Sequence, residues 1–201
     1  VTWRVADGVA AAELRQLGSR FFARLAPAAD RAAAEAFVAA ERKRNPDATH
    51  HCFAWRVGRP PAERSSDDGE PAGTAGPPML SALRAAAVTD VVAVVTRWFG
   101  GTKLGKGGLV RAYGGVVRAA LEQLPVRTEL ARVRIVLRVP ARRIGAVRRL
   151  VHPPEVELAG ERWGEEVEVE LAVVPPREAA LRDALAALGL AVAPRERTGL
   201  P

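Results

Sequence analysis

The stretch Val91–Leu121, VVAVVTRWFGGTKLGKGGLVRAYGGVVRAAL, decides how the rest of the chain is read. It opens on β-branched residues, passes through a loop carrying Gly100, Gly101, Gly105, Gly107 and Gly108, and ends in an apolar pattern of helical period. The expected local structure is a strand ending near Thr96, a glycine-rich turn, and a helix starting near Leu109. Such a turn leaves backbone N–H groups free to cradle an anion. Arg97 precedes the glycines, Lys103 and Lys106 lie among them, and Arg111 follows, so full charges add to the partial positive charge of a helix N-terminus. Trp98, Phe99 and Tyr113 offer rings that stack on bases if exposed and fill the core if not. The spacing excludes two nucleotide fingerprints. No Gly-Lys is followed by Ser or Thr, and GGTKLGKGG lacks the G-x-G-x-x-G order. The plainer reading is that the glycines only permit a tight turn against a sheet, and the residues alone leave both open.

The remaining 170 or so residues bound the class of protein. A chain of 201 residues makes one large domain or two small ones, and 48% hydrophobic content with mixed charge fits a soluble globular protein. No apolar run approaches the roughly 20 residues needed to span a bilayer. Val1–Arg20 is charged throughout and lacks the apolar core of a signal peptide. The single cysteine, Cys52, rules out an internal disulfide framework. A cytoplasmic protein without a membrane role is expected. The net charge is +7, and it is uneven: residues 1–128 hold 18 Lys and Arg against 12 Asp and Glu, residues 129–201 hold 12 against 11. A polyanion is therefore the expected partner of the first part. Lys43, Lys103 and Lys106 are the only lysines, and there is one Asn, one Met and one Cys. That scarcity resembles a thermophile, and a GC-rich genome gives a similar bias.

In chain order, Val1–Asp7 and Ser19–Leu25 read as strands. Asp30–Arg44 reads as a helix with Asp30 as N-cap and Phe37 and Val38 in the buried stripe, stopped by Asn45-Pro46-Asp47. His51–Val57 alternates as a strand. Gly58–Pro78 shows no periodicity and reads as a long loop, and Met79–Ala87 as a short helix. Pro125–Thr128 reads as a linker. Beyond it Ala131–Val139, Val156–Ala159, Glu165–Val174 and Leu190–Ala193 read as strands, and Arg142–Val151 and Arg177–Leu188 as helices, the second ended by Gly189. The order is the ferredoxin-like βαββαβ, which places the expected domains at 1–128 and 129–201.

Other clusters carry candidate chemistry. Asp67, Asp68 and Glu70 in SSDDGEPAGTAG hold a divalent cation or act as acid and base on one reading. On the other they form a solvated loop that pairs with arginine or caps the following helix. The EF-hand spacing is missing, and no metal site or cofactor is expected. His50 shares the Cys52 face of its strand but lies roughly 6.5 Å along it, and His51 points to the other face, so a Cys–His nucleophile is not expected. Glu166, Glu168 and Glu170 recur with period two, as do Arg132, Arg134 and Arg138, which predicts that these strands pair.

Three of these stretches together resemble a known family. HHCFAW (His50–Trp55), SDDGEPAGTAGPPML (Ser66–Leu80) and VVTRWFGGTKLGKGGLVRAYGG (Val94–Gly115) are similar to the bacterial two-domain members of the IMPACT family, and SRFFA (Ser19–Ala23) and NPDATHH (Asn45–His51) fit as well. The resemblance covers most of residues 15–120. It makes His50, His51, Asp67, Asp68 and Glu70 family-motif positions. It departs at Trp98, where Tyr is common, and at Lys106, where Thr is common and where lysine makes this loop more cationic. The resemblance implies an α+β protein. Its first domain would have the fold of the second domain of ribosomal protein S five, a four-stranded sheet with helices on one face. Its second would resemble the ferredoxin-like terminal domain of elongation factor G. It further implies translation control, since eukaryotic members bind a ribosome-associated activator of a stress kinase. The expected function is thus a non-enzymatic, RNA- or ribosome-associated protein. Its expected anion or nucleic-acid site is Arg97, Gly100, Gly101, Lys103, Gly105, Lys106, Gly107, Gly108, Arg111 and Tyr113. The alternatives are an enzyme binding a small-molecule phosphate on the glycine loop and a protein-interaction module.

Overall fold

The structure, a computed structural model, describes residues 2–192. The chain divides into two compact units, one running from Trp3 to Glu129 and the other taking up the chain from Leu130.

The first unit is built on a five-stranded sheet of strands β2 (Ala10–Gln16), β3 (Ser19–Pro27), β4 (His50–Val57), β5 (Ala62–Ser66) and β7 (Val91–Trp98). The spatial order is β2-β3-β7-β4-β5, and every neighbouring pair is antiparallel. Helices α2 (Gly76–Ala85) and α3 (Gly105–Glu122) pack Met79, Leu83, Tyr113 and Val117 on the face carrying Phe21, Leu25, Cys52 and Val95. Helix α1 (Arg31–Arg44) packs Ala34 and Val38 on the opposite face, against Phe53, Trp55, Val92 and Val94. Asp30 caps α1 as its position predicts, its carboxylate accepting the Ala33 N–H at 2.8 Å.

Two expectations for this unit are corrected. The sheet has five strands rather than four, and helices cover both faces rather than one. The central strand β7 is accordingly buried at every position from Val91 to Arg97, which is why its sequence is a run rather than an alternation. The stretch Gly58–Pro78 is not one loop, because residues Ala62–Ser66 form β5 on β4. As an edge strand, AERSS has one neighbour and carries charge instead of an apolar stripe, so it leaves no periodic signal. β2 is the other edge. It is alanine-rich and joined to β3 by a tight turn in which Leu17 and Gly18 both have positive φ.

A small separate sheet has the order β6-β1-β8. Its central strand β1 (Thr2–Ala6) is parallel to β6 (Val88–Thr89), and β8 spans Val126–Leu130. The expected linker at Pro125–Thr128 is thus largely strand; Pro125 accepts the Asp7 N–H at 2.9 Å, and β8 is too exposed to show an apolar pattern.

The second unit is a three-stranded antiparallel sheet of order β10-β11-β9, from β9 (Val133–Val139), β10 (Val156–Arg162) and β11 (Val167–Val173). The short helix α4 (Ile144–Arg148) and α5 (Glu178–Ala187) supply Val147, Leu181 and Leu185 to a core with Ile135, Leu137, Val169 and Leu171. β9 and β11 pair as the matched charges predict. Arg134 meets Glu170 and Arg138 lies 4.0 Å from Glu168, whereas Arg132 turns to Glu157 of β10. Leu190–Val192 forms no strand, and the rest of the expected last strand, Ala193, lies outside the described residues.

Candidate nucleic-acid interface

The acidic loop, the histidine strand and the two flanks of the glycine loop meet in one place. Asp67 closes the start of α2. One of its oxygens accepts the N–H groups of Ala75 and Gly76 and the other that of Gly73, each at 2.8 Å. The Ala75 and Gly76 N–H groups are among the donors a helix start leaves unsatisfied, and the Gly73 N–H belongs to the turn before it. Burial pushes the Asp67 carboxyl up, but the three N–H bonds together outweigh it and hold the group below its ordinary value. Asp68 has positive φ, pairs with Arg42, and accepts the His51 N–H at 2.7 Å. Its backbone carbonyl lies 2.8 Å from His50 Nδ1.

Glu70 is buried, and its Oε1 accepts two bonds: Arg97 Nη1 at 2.5 Å, from the last turn of strand before the glycines, and the Tyr113 hydroxyl at 2.7 Å, from the helix after them. His50 Nε2 lies 3.9 Å from the same oxygen. Arg97 also donates to Ser19 Oγ at 3.2 Å and lies between the rings of Phe21 and Phe99. The Cys52 thiol sits 3.0 Å from the Asp67 carbonyl oxygen and 3.4 Å from the Tyr113 hydroxyl. Burial pushes both the thiol and the phenol far up, so neither ionises near neutrality.

Two expected site residues are thereby corrected. Tyr113 is fully buried and cannot stack on a base, and Arg97 is committed to Glu70 inside the fold rather than to an external anion. The carboxylates Asp67, Asp68 and Glu70 are engaged by backbone N–H groups, arginines and Tyr113. Among the described residues no group of three or more His, Cys, Asp and Glu is arranged to hold a metal ion. His50 and His51 each bond a backbone carbonyl, those of Asp68 and Asn45.

The glycine loop behaves differently. Gly100 is packed so tightly on the β2–β3 turn that a Cβ there would fall 1.9 Å from the Gly18 carbonyl carbon. Gly101 and Gly105 have positive φ, while Gly107 and Gly108 lie in the first turn of α3, which starts four residues before the expected Leu109. That first turn has neither a side-chain cap nor an acidic residue. Lys103, Lys106 and Arg111 are exposed, and Phe99 presents its ring at 46% exposure. Trp98 is half-buried, bonded to Asp47 and covered by the Arg20 guanidinium 4.6 Å above its ring.

The partners of the cations separate this surface from the rest of the unit. Among the described residues, Lys103, Lys106, Arg111 and, further along α3, Arg118 are in no ion pair. Every other Lys or Arg from Trp3 to Glu129 except Lys43 is held by a carboxylate or, for Arg4, by a backbone carbonyl. Arg118 was not among the expected site residues; its only sequence signal is that it follows Arg111 by two helical turns.

In this α+β protein a buried polar joint fastens a glycine loop beside a cationic helix start. Residues 17–121 match the family model of the Impact N-terminal domain. Over 139 residues the chain is 48% identical to an IMPACT family member from the pol 5′ region of Thermus thermophilus, covering 69% of this chain and 75% of that one. Over 109 residues it is 53% identical to the IMPACT family member YigZ of Escherichia coli, about half of each chain. The crystal structure of a protein described as hypothetical superposes with a TM-score of 0.74 at 33% identity, covering 98% of both chains. The chain belongs to the IMPACT family. Among the described residues no helix is long and apolar enough to cross a membrane.

Proposed function

We propose that the protein is a non-enzymatic, RNA- or ribosome-associated component of translation control in the cytoplasm, and that the glycine loop and the start of α3 form its phosphate contact. One observation carries this reading: among the described residues, the exposed cations without a carboxylate partner are concentrated on the glycine loop and α3, in a unit that otherwise holds all its arginines by carboxylates or, for Arg4, a backbone carbonyl. Phosphate oxygens are the partners such cations lack. Phe99 is the exposed ring beside them and stacks on a base. Glu70 holds the flanks of the glycine loop, while Asp67 caps α2 and Asp68 ties the acidic loop to Arg42 and His51, so these carboxylates serve the scaffold on this reading. The domain reading supports the same direction. On it, residues 1–128 are the IMPACT domain with the fold of the second domain of ribosomal protein S five. Residues 129–201 are a ferredoxin-like domain resembling the terminal domain of elongation factor G, and both types recur in translation factors.

The test is a filter-binding titration with ribosomal RNA across a salt series. Replacing both lysines, Lys103→Ala with Lys106→Ala, lowers the slope of log affinity against log salt by about 1–2 units. An unchanged slope removes the loop from the interface.

A further inference from the structure

The unpaired cations do not stop at the helix start. Arg111 and Arg118 are seven residues apart, two turns of α3, and therefore lie on the same exposed side at a separation of about 10 Å along the axis. Each lies back over a glycine one turn earlier. A Cβ on Gly107 would come within 3.4 Å of Arg111 Nη1, and one on Gly114 within 3.1 Å of Arg118 Nη1; a Cβ on Gly115 would lie 3.9 Å from Arg118 Nη2. Side chains in helices lean toward the N-terminus, over the preceding turn. With glycine beneath them, these two guanidiniums lie against the helix surface and lean back along it toward the start of α3, where Lys106 leaves the helix about 140° round from Arg111. Carboxylates do not break the row, because Glu122, the sole acidic residue of α3, falls after Arg118.

We propose that the phosphate backbone of single-stranded RNA runs lengthwise along α3, from Lys103 and Lys106 past Arg111 to Arg118, rather than ending on the glycine loop. This rests on the RNA reading above and extends it to a direction and to a residue, Arg118, that the loop alone does not involve. Charge complementarity commits the surface to a polyanion. A flexible single strand passes from the lysines at the loop round to the face that Arg111 and Arg118 share, and leaves a base free for Phe99. Gly107 is exposed and keeps bulk off the helix beside Arg111, whereas Gly114 is buried against Pro78 of α2 and lets Arg118 lie close to the helix.

The experiment is fluorescence anisotropy with a labelled single-stranded RNA of mixed sequence in a potassium chloride series. It compares the full chain with Arg118→Gln and with the double Lys103→Ala, Lys106→Ala variant. Arg118 is exposed and, among the described residues, in no ion pair, so Arg118→Gln is expected to melt at the wild-type temperature. Losing one phosphate contact lowers the salt slope by about 0.7 and affinity at physiological salt about four-fold. A slope that falls for the lysine variant but not for Arg118→Gln overturns the lengthwise path and leaves the loop contact standing. Slopes that change for neither overturn both. Binding to phosphatidylserine vesicles that depends on Arg118, with no binding to the RNA, overturns RNA as the occupant of the row.

Discussion

The acidic loop and the glycine loop are both motif-dense, both rich in charge, and close together in the first unit, yet they use their charges in opposite ways. Asp67, Asp68 and Glu70 accept bonds from inside the fold: helix-start amides, the His51 N–H, Arg42, Arg97 and Tyr113. Among the described residues, Lys103, Lys106 and Arg111 are in no ion pair. A motif can thus mark a position because the scaffold needs it or because a partner does, and the contact inventory tells the two apart. Glu70 links them. By holding the strand before the glycines and the helix after them, it fixes the ends of a loop whose middle faces solvent.

The largest effect that would break this contrast is at Glu70. Glu70→Ala leaves the Arg97 guanidinium buried without its counter-charge and the Tyr113 hydroxyl without its acceptor. Removing one partner of a buried pair costs about 3–5 kcal/mol. Chemical denaturation should show an unfolding free energy lower by that amount, read as a lower midpoint at unchanged m-value. A loss under 1 kcal/mol would mean that Glu70 is not the joint it is taken for.

Gly100→Ala comes next. The new methyl would collide with backbone atoms of the β2–β3 turn rather than with a flexible side chain, so the turn must shift. Overpacking of this kind costs about 1–3 kcal/mol. The loss should appear in the melting temperature, with faster amide exchange at Gly18 and Ser19. An alanine variant as stable as the parent would show that the glycine serves flexibility or ligand approach instead of packing.

Asp67→Ala should cost about 2 kcal/mol, the upper range for a helix cap, since three N–H groups lose their acceptor. Its pH dependence sharpens the comparison. The native Asp67 value lies below the unfolded one, so its stabilisation is complete above the unfolded value and is lost as pH falls through the lowered native value. The gap between wild type and Asp67→Ala is therefore constant near neutrality and closes in acid, below about pH 4. A gap that widens in acid would contradict the assignment of Asp67 as an ionised cap.

Much of the fold was legible because its core elements are periodic. α1 carries a cap at Asp30 and a buried stripe, and β11 alternates without a break. The elements that escaped are those that bury little. β2, β5 and β8 hold their places by backbone pairing and ion pairs at sheet edges, and neither leaves an apolar signature in the sequence. The second helical face of the sheet was also hidden, because α1 buries few residues and its apolar stripe does not say which side of the sheet it covers. At the site, sequence spacing could bring Asp67 to the helix it caps, which lies a few residues on. It could not pair Glu70 with Arg97 and Tyr113, 27 and 43 residues away, since that requires knowing that β4 and β7 are neighbours. Arg97 and Tyr113 therefore read as surface residues of the loop when they are its buried fastenings.

The smallest effect on stability is expected where the effect on binding is largest. Lys103 and Lys106 are exposed, and in no ion pair among the described residues, so replacing both by alanine should move the folding free energy by no more than about 0.5 kcal/mol. Lys106 lies in the first turn of α3, where a cation opposes the helix dipole and alanine is a better helix former, so the change should be neutral or slightly stabilising. A residue kept for the scaffold would show the reverse. Thermal melts of the double variant beside its RNA titration decide this directly. Equal or higher stability with a lower salt slope places the lysines with the partner. A variant that melts early and binds RNA as before would move them to the scaffold's side of the comparison, alongside Glu70.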